Sequence, residues 1–144
     1  MPSSTLPATD ALRIEDLTVA YGDGERPALR DVDLAVPRGV AYGLVGESGS
    51  GKSTLALASL RHLGGDGRVL QGRVELDGLD LLALPPRELR RAWRDRVRLV
   101  PQDPLASLNP SLTVGRQVAE GLADRVAGRP PERVAALLAS VGLA

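Results

Sequence analysis

Apolar and polar positions alternate along two stretches of the first 40 residues, and then the alternation stops. Leu12-x-Ile14 and Leu17-x-Val19-x-Tyr21 repeat with period two, the spacing of a strand with one buried face. The pattern loses step at Glu15-Asp16, which predicts a bulge or bend there. Gly22-Asp23-Gly24 reads as a turn. Val32-x-Leu34-x-Val36 alternates again and ends at Pro37-Arg38-Gly39, a tight-turn signal. Val40 to Val45 is apolar nearly throughout and predicts a buried strand. Lys52 to Leu63 is apolar on almost every side between its ends, which predicts a helix inside a core rather than on a surface.

Later elements follow the same logic. Arg73-Val74-Glu75-Leu76-Asp77-Gly78 predicts a short strand closed by an Asp-Gly turn. Pro85-Pro86 opens a helix with Glu88 in its first turn. Leu89 and Trp93 lie four apart on one face of it. Arg87, Arg90, Arg91 and Arg94 cover much of the rest, either as a solvated side or as a basic docking face. Val97-x-Leu99-Val100 predicts a further strand, in which Arg98 has no evident purpose. Pro101 to Pro110 is irregular. Thr113 can cap a helix whose face is Val114, Val118, Leu122 and Val126, and Gly128 with Pro130-Pro131 breaks it. Val134, Leu137, Leu138 and Val141 stand at i, i+3, i+4 and i+7 of a last helix, with Gly142 as its stop. Residues 1–11, rich in Ser, Thr and Pro, read as a loose tail.

Composition narrows the class without naming a function. The 144 residues are 43% hydrophobic and 25% charged, values of a globular chain. Aromatic content is 2% with no Phe, so the core rests on Leu, Val and Ala. The formal net charge is zero, which gives no support for nucleic-acid binding through overall charge. There is no cysteine, hence no disulfide framework and no thiol chemistry. No basic region followed by an apolar run marks a secretory signal at the N-terminus, and no apolar stretch has the length of a bilayer span. His62, the single histidine, sits at a helix end and reads as a surface residue rather than a base.

The chemistry is concentrated in Gly46-Glu47-Ser48-Gly49-Ser50-Gly51-Lys52-Ser53-Thr54, which fits G-x-x-x-x-G-K-[ST] between an apolar run and a helix. Glycines at 46, 49 and 51 let the backbone approach a ligand closely. Successive amides can then point inward as an anion nest, and the helix start adds its own unpaired N–H groups. Lys52 would bridge β- and γ-phosphate oxygens, and the Ser53 hydroxyl would ligate Mg²⁺. The chain has 17 Arg and one Lys, and that Lys is Lys52. In so arginine-rich a chain, a lysine where a compact ammonium is needed is informative. A glycine-rich turn that merely joins strand to helix would require neither the eight-position pattern nor both flanks.

A phosphate loop alone serves kinases, GTPases, helicases and transport ATPases. Here two strands precede it, and Tyr21 stands 25 residues before Gly46. That order resembles the nucleotide-binding subunit of an ABC transporter, and Tyr21 matches the aromatic that stacks on adenine in that family. Tyr21 can also be a plain strand-end core residue. Gln102, 50 residues beyond Lys52, matches the Q-loop glutamine, whose amide oxygen reaches Mg²⁺ or the attacking water. Val45 to Thr54 and Gln102-Asp-Pro-Leu-Ala-Ser-Leu-Asn-Pro110 together resemble the branch serving oligopeptide, dipeptide and nickel importers. Pro101 departs from the family, which more often has an aromatic residue there. Leu105 and Leu108 are either docking residues for membrane subunits or local core.

The resemblance implies an α/β fold: a RecA-like P-loop NTPase core with an antiparallel β subdomain over residues 12–102, and the start of an α-helical subdomain over 103–144. It implies ATP and Mg²⁺ as ligands, a second ATP-binding subunit and transmembrane permease subunits as partners, an external solute-binding protein indirectly, and a peripheral place on the cytoplasmic face of the cell membrane. No LSGGQ-like string, no apolar strand ending in Asp-Glu and no histidine after Gln102 occurs in the 144 residues. The expectation is therefore an incomplete, N-terminal portion of a longer subunit that lacks the catalytic carboxylate hydrolysis requires and exposes apolar surface when isolated. A P-loop small-molecule kinase and a non-catalytic nucleotide-binding fragment are the alternatives. The two strands ahead of the loop argue against the kinase.

Overall fold

The computed structural model describes residues 10–23, 26–103, 107–122 and 131–143. The chain divides into two compact units, residues 1–98 and 99–144.

The first unit is built on an antiparallel sheet. Strand β1 (Asp10–Tyr21) pairs with β2 (Leu29–Pro37) on one side and with β3 (Gly67–Leu76) on the other, and the short β4 (Leu79–Asp80) pairs with β3. The order across the sheet is β2-β1-β3-β4. The alternation read from the sequence sets the faces: Ile14, Leu17, Val19 and Val74 are fully buried. The lost step at Glu15-Asp16 is a real irregularity. Register shifts occur there against both neighbours, and Asp16 takes a positive φ of 49°. One side chain from β2 and one from β1 support the bend. The Asp16 amide donates to Asp33 Oδ1 at 2.9 Å, and the Asp31 amide donates to Thr18 Oγ1 at 3.1 Å.

Helices α1 (Lys52–Ala58) and α2 (Pro86–Arg96) pack on this sheet through Leu55 and Ala58, and Leu89 and Ala92. Burying a leucine-sized side chain contributes about 1.5–3 kcal/mol, so this shared cluster fixes the helices to the sheet. Helix α1 is shorter than its apolar run predicts. It gives way to a turn after Ala58, where the Ser59 hydroxyl donates back to the Ala56 carbonyl at 2.7 Å and Arg61 adopts a φ of 51°. Arg61 then reaches across to the Leu81 and Leu84 carbonyls at 3.1 and 2.6 Å. Helix α2 opens at Pro85-Pro86 as expected, and β3 begins six residues before the predicted Arg73.

Two predicted strands are not strands. Val40 to Val45 joins no sheet among the described residues, and Val40, Tyr42, Leu44 and Val45 are all exposed, Val45 at 94%. Val97 to Val100 is likewise unpaired, with Val100 89% exposed. An apolar run supplies a side-chain pattern, but a strand also needs a neighbour to satisfy its amides, and none lies alongside either segment among the described residues. Arg98 does have a purpose. Its guanidinium donates to the Arg94 and Val97 carbonyls at 2.7 and 2.6 Å, so it caps the end of α2.

In the second unit α3 (Val114–Leu122) packs against α4 (Pro131–Ser140), with Val134 buried. Thr113 caps α3 as predicted, its hydroxyl accepting from the Arg116 amide at 3.4 Å. Gln117 holds the preceding loop: its Oε1 accepts from the Asn109 amide at 2.9 Å, and its Nε2 donates to the Asn109 and Leu112 carbonyls. The Leu143 amide returns to the Leu138 carbonyl at 2.9 Å and ends α4. Gly24, Leu105, Val126, Gly128 and Pro130 lie outside the described residues, as does most of the predicted tail.

Candidate functional site

The loop from Gly46 to Gly51 reaches α1 through one close approach. Gly51 has a φ of 89°, and a Cβ there would lie 2.8 Å from Leu29 Cδ2 and 3.2 Å from the Ala28 carbonyl oxygen. Only glycine suits both the conformation and the space. Leu29 opens β2 and pairs with Val19, two residues before Tyr21 on β1. Gly51 therefore seats the start of α1 against the start of β2, which pairs with β1 two residues before Tyr21.

Lys52 folds back over the loop. Its Nζ donates to the Gly46 carbonyl at 2.8 Å, the Glu47 carbonyl at 2.6 Å and Ser50 Oγ at 3.3 Å. The Leu55 amide donates to the Gly51 carbonyl at 2.8 Å, which starts the helix. Helical geometry leaves the amides before it without an intrahelical acceptor. Among the described residues the amides of Gly49, Gly51, Lys52, Ser53 and Thr54 have no hydrogen-bond acceptor at all. One ammonium and five unclaimed donors thus lie within six consecutive residues, a set of groups suited to an anion such as a phosphate. The loop from Gly46 to Ser50 is exposed, so a ligand has direct access.

Tyr21 is half-buried at the end of β1, opposite Gly67 on β3. Its ring lies so close to Gly67 that a Cβ there would be 2.7 Å from Tyr21 Cε1. The ring has both a packing role against the core cluster and an exposed part, so neither sequence reading of it is removed. Ser53 is exposed in the first turn of α1. Gln102 is exposed and belongs to the second unit. His62 is exposed as expected but not at a helix end: it follows the turn that closes α1 at Ala58, with its ring edge-on to Trp93 at 5.2 Å between centroids. Sequence reasoning missed the seating of Gly51 on Ala28 and Leu29. No local signal could reveal it, because the contact joins residues more than 20 positions apart.

Sheet, loop and helix in this arrangement define a P-loop NTPase fold of the ATP-binding-cassette type. The chain belongs to the ABC transporter family, whose family model matches residues 29–144. Among curated proteins it is similar to the oligopeptide transport ATP-binding protein OppD of Salmonella typhimurium, 39% identical over 118 residues covering 81% of this chain and 35% of that protein. It is also similar to the dipeptide transport ATP-binding protein DppD of Escherichia coli, 36% identical over 137 residues covering 92% of this chain and 42% of that one. Among solved structures it resembles the dimeric post-hydrolysis state of the ATP-binding cassette MJ0796 bound to ADP and Pi. The TM-score is 0.75 at 28% identity, covering 91% of this chain and 56% of that one. The chain thus spans roughly two fifths of the length of these curated relatives.

Proposed function

We propose that this chain is the phosphate-binding part of the ATP-binding subunit of an ABC importer for peptides, coupling ATP binding and hydrolysis to uptake. The observation that carries the reading is the loop itself: Lys52 gathered onto Gly46 and Glu47, beside five amides with no acceptor among the described residues. The importer class rests on the peptide-transport relatives. An electrostatic cradle of this kind neutralises phosphate charge, which is the main service a protein renders to phosphoryl transfer.

In this reading Gly46, Glu47, Ser48, Gly49, Ser50, Gly51, Lys52, Ser53 and Thr54 hold the β- and γ-phosphates, and the exposed part of the Tyr21 ring stacks on the base. The residues present fit Mg²⁺. The Ser53 hydroxyl is exposed and makes no hydrogen bond among the described residues. No cluster of three or more His, Cys, Asp or Glu occurs among the described residues. Bound there, Mg²⁺ would supply charge neutralisation to the phosphates.

The working assembly in this reading pairs two ATP-binding subunits beneath transmembrane permease subunits, as the dimeric cassette neighbour suggests, and is fed by an external solute-binding protein. Attachment in this reading is peripheral, at the cytoplasmic face of the membrane; among the described residues no helix is long and apolar enough to cross a membrane. Residues 12–102 would form the nucleotide-binding core and 103–144 the beginning of the helical subdomain. Titration of the chain with MgATP in a calorimeter tests the reading. Binding by the native chain and its loss in Lys52→Ala support it. Equal affinity in the two removes the loop from the site.

A further inference from the structure

The turn between β3 and β4 does more than reverse the chain. Asp77 and Gly78 have φ of 51° and 77°, as a two-residue type I′ hairpin requires, and Leu76 pairs with Leu79 across them. Asparagine suits the first of these positions at least as well as aspartate does. The Asp77 amide donates to the Ala11 carbonyl at 2.9 Å, so the turn is fastened to the start of β1. Both oxygens of its carboxylate face a guanidinium group. Arg38 Nη2 pairs with Oδ1, and Arg96 Nη1 stands 3.8 Å from Oδ2.

The two arginines are 58 residues apart in the chain and belong to different elements of the first unit. Arg38 follows β2, at the root of the unpaired run Val40 to Val45 that leads to the phosphate loop. Arg96 is the last residue of α2. That helix is bonded to the turn after α1 through Trp93 and the Leu60 carbonyl, and α1 begins at Lys52. The two ends of the loop segment are thereby joined through α2, by Asp77 at the near end and by Trp93 at the far end. Between Arg38 and Gly51 the backbone amides make only local bonds among the described residues, Val40 to the Pro37 carbonyl at 3.4 Å and Ser50 to the Glu47 carbonyl at 3.3 Å. Where such a segment reaches is therefore set by what holds its ends.

We propose that Asp77 is a positioning residue for the phosphate loop: its carboxylate clamps Arg38 to the end of α2 and so fixes the root from which the loop is hung. This deepens the function proposed above and rests on its reading of the loop as the phosphate site. The turn itself needs no charge at position 77, so the carboxylate answers to the arginines. A lone ion pair at a surface contributes little, whereas several charges in one network are the case in which such pairs count. Here one acid, held by the sheet, serves two cations from separate elements.

Asp77→Asn tests this cleanly, because it keeps the turn and removes the charge. The variant should melt close to the native temperature and bind MgATP about threefold more weakly, the scale of two partly exposed ion pairs. In a chain already carrying Arg38→Gln and Arg96→Gln, adding Asp77→Asn should weaken binding no further, since the three residues act as one unit. Position is read directly by spin labels. The chain has no cysteine, so Val40→Cys and Arg90→Cys, both at exposed sites, label the root and α2 alone. Their distance distribution should be narrow in the native background and broad with Asp77→Asn. An unchanged distribution, an unchanged affinity, or an equal loss in the double-arginine background each overturns the proposal. Lys52→Ala separates this from the reading beneath it. If that variant binds MgATP like the native chain, the loop is not the site, while the label distances still decide whether Asp77 holds its root.

Discussion

Trp93 donates its indole N–H to the Leu60 carbonyl at 2.7 Å, which ties α2 to the turn that ends α1. The two helices are 33 residues apart at this point, so the bond is tertiary. Replacing Trp93 by Phe keeps an aromatic ring against His62 and removes the donor. A hydrogen bond of this kind contributes about 0.5–1.5 kcal/mol net. The variant should unfold at lower urea concentration with an unchanged slope, which equilibrium denaturation followed by circular dichroism would measure.

Gly51→Ala should damage both structure and binding. The new Cβ meets Leu29 and the Ala28 carbonyl, and the φ of 89° is strained for alanine. Strain of this kind costs about 1–3 kcal/mol. The expected result is a lower melting temperature together with weaker MgATP binding. A variant of native stability and affinity would mean that the loop does not need this seat.

Gly72→Ala separates sheet from site. A Cβ at Gly72 would lie 2.6 Å from Leu17 Cα and 2.7 Å from the Glu15 and Asp16 carbonyl oxygens, all of them backbone atoms that cannot swing aside. Overpacking costs about 1–3 kcal/mol, so stability should fall in thermal unfolding. The bulge is remote in sequence from the loop, and nucleotide affinity measured well below the midpoint should be nearly unchanged.

Tyr21 is tested by a pair of substitutions. Tyr21→Leu retains apolar packing against Gly67 and loses the flat ring, while Tyr21→Trp retains a ring. If the exposed part of Tyr21 stacks on the base, affinity for MgATP should drop up to about tenfold in the first and hold in the second, the scale of an aromatic contact of about 0.5–1.5 kcal/mol. Affinity for inorganic triphosphate, which has no base, should be the same in all three chains.

What the sequence made legible is local. The loop pattern, the lost step in β1, the Pro-Pro opening of α2 and the Thr113 cap each depend on residues a few positions apart, and each stands where its chemistry places it. The failures are non-local. Val40 to Val45 and Val97 to Val100 carry strand patterns, yet pairing belongs to two segments at once and cannot be read from one. Helix α1 ends early because Ser59 bonds back to Ala56 and Arg61 is drawn to the Leu81 and Leu84 carbonyls. Nothing in the apolar run around Leu60 announces that partner. Arg98 looked misplaced only because it was assigned to a strand rather than to the end of a helix.

The exposure of Val40 to Val45 also bears on the order of folding. Every hydrogen bond of the sheet lies within residues 10–80, so β1 to β4 can close without this segment. Among the described residues, the amides of Ala41 to Val45 have no backbone acceptor. The rope that leads to the phosphate cradle is thus slack while both of its anchors are fast. Hydrogen exchange should show this directly, as rapid labelling of residues 41–45 between slow amides in β2 and β3. Slow exchange at 41–45 would mean that the cradle is moored before anything binds to it.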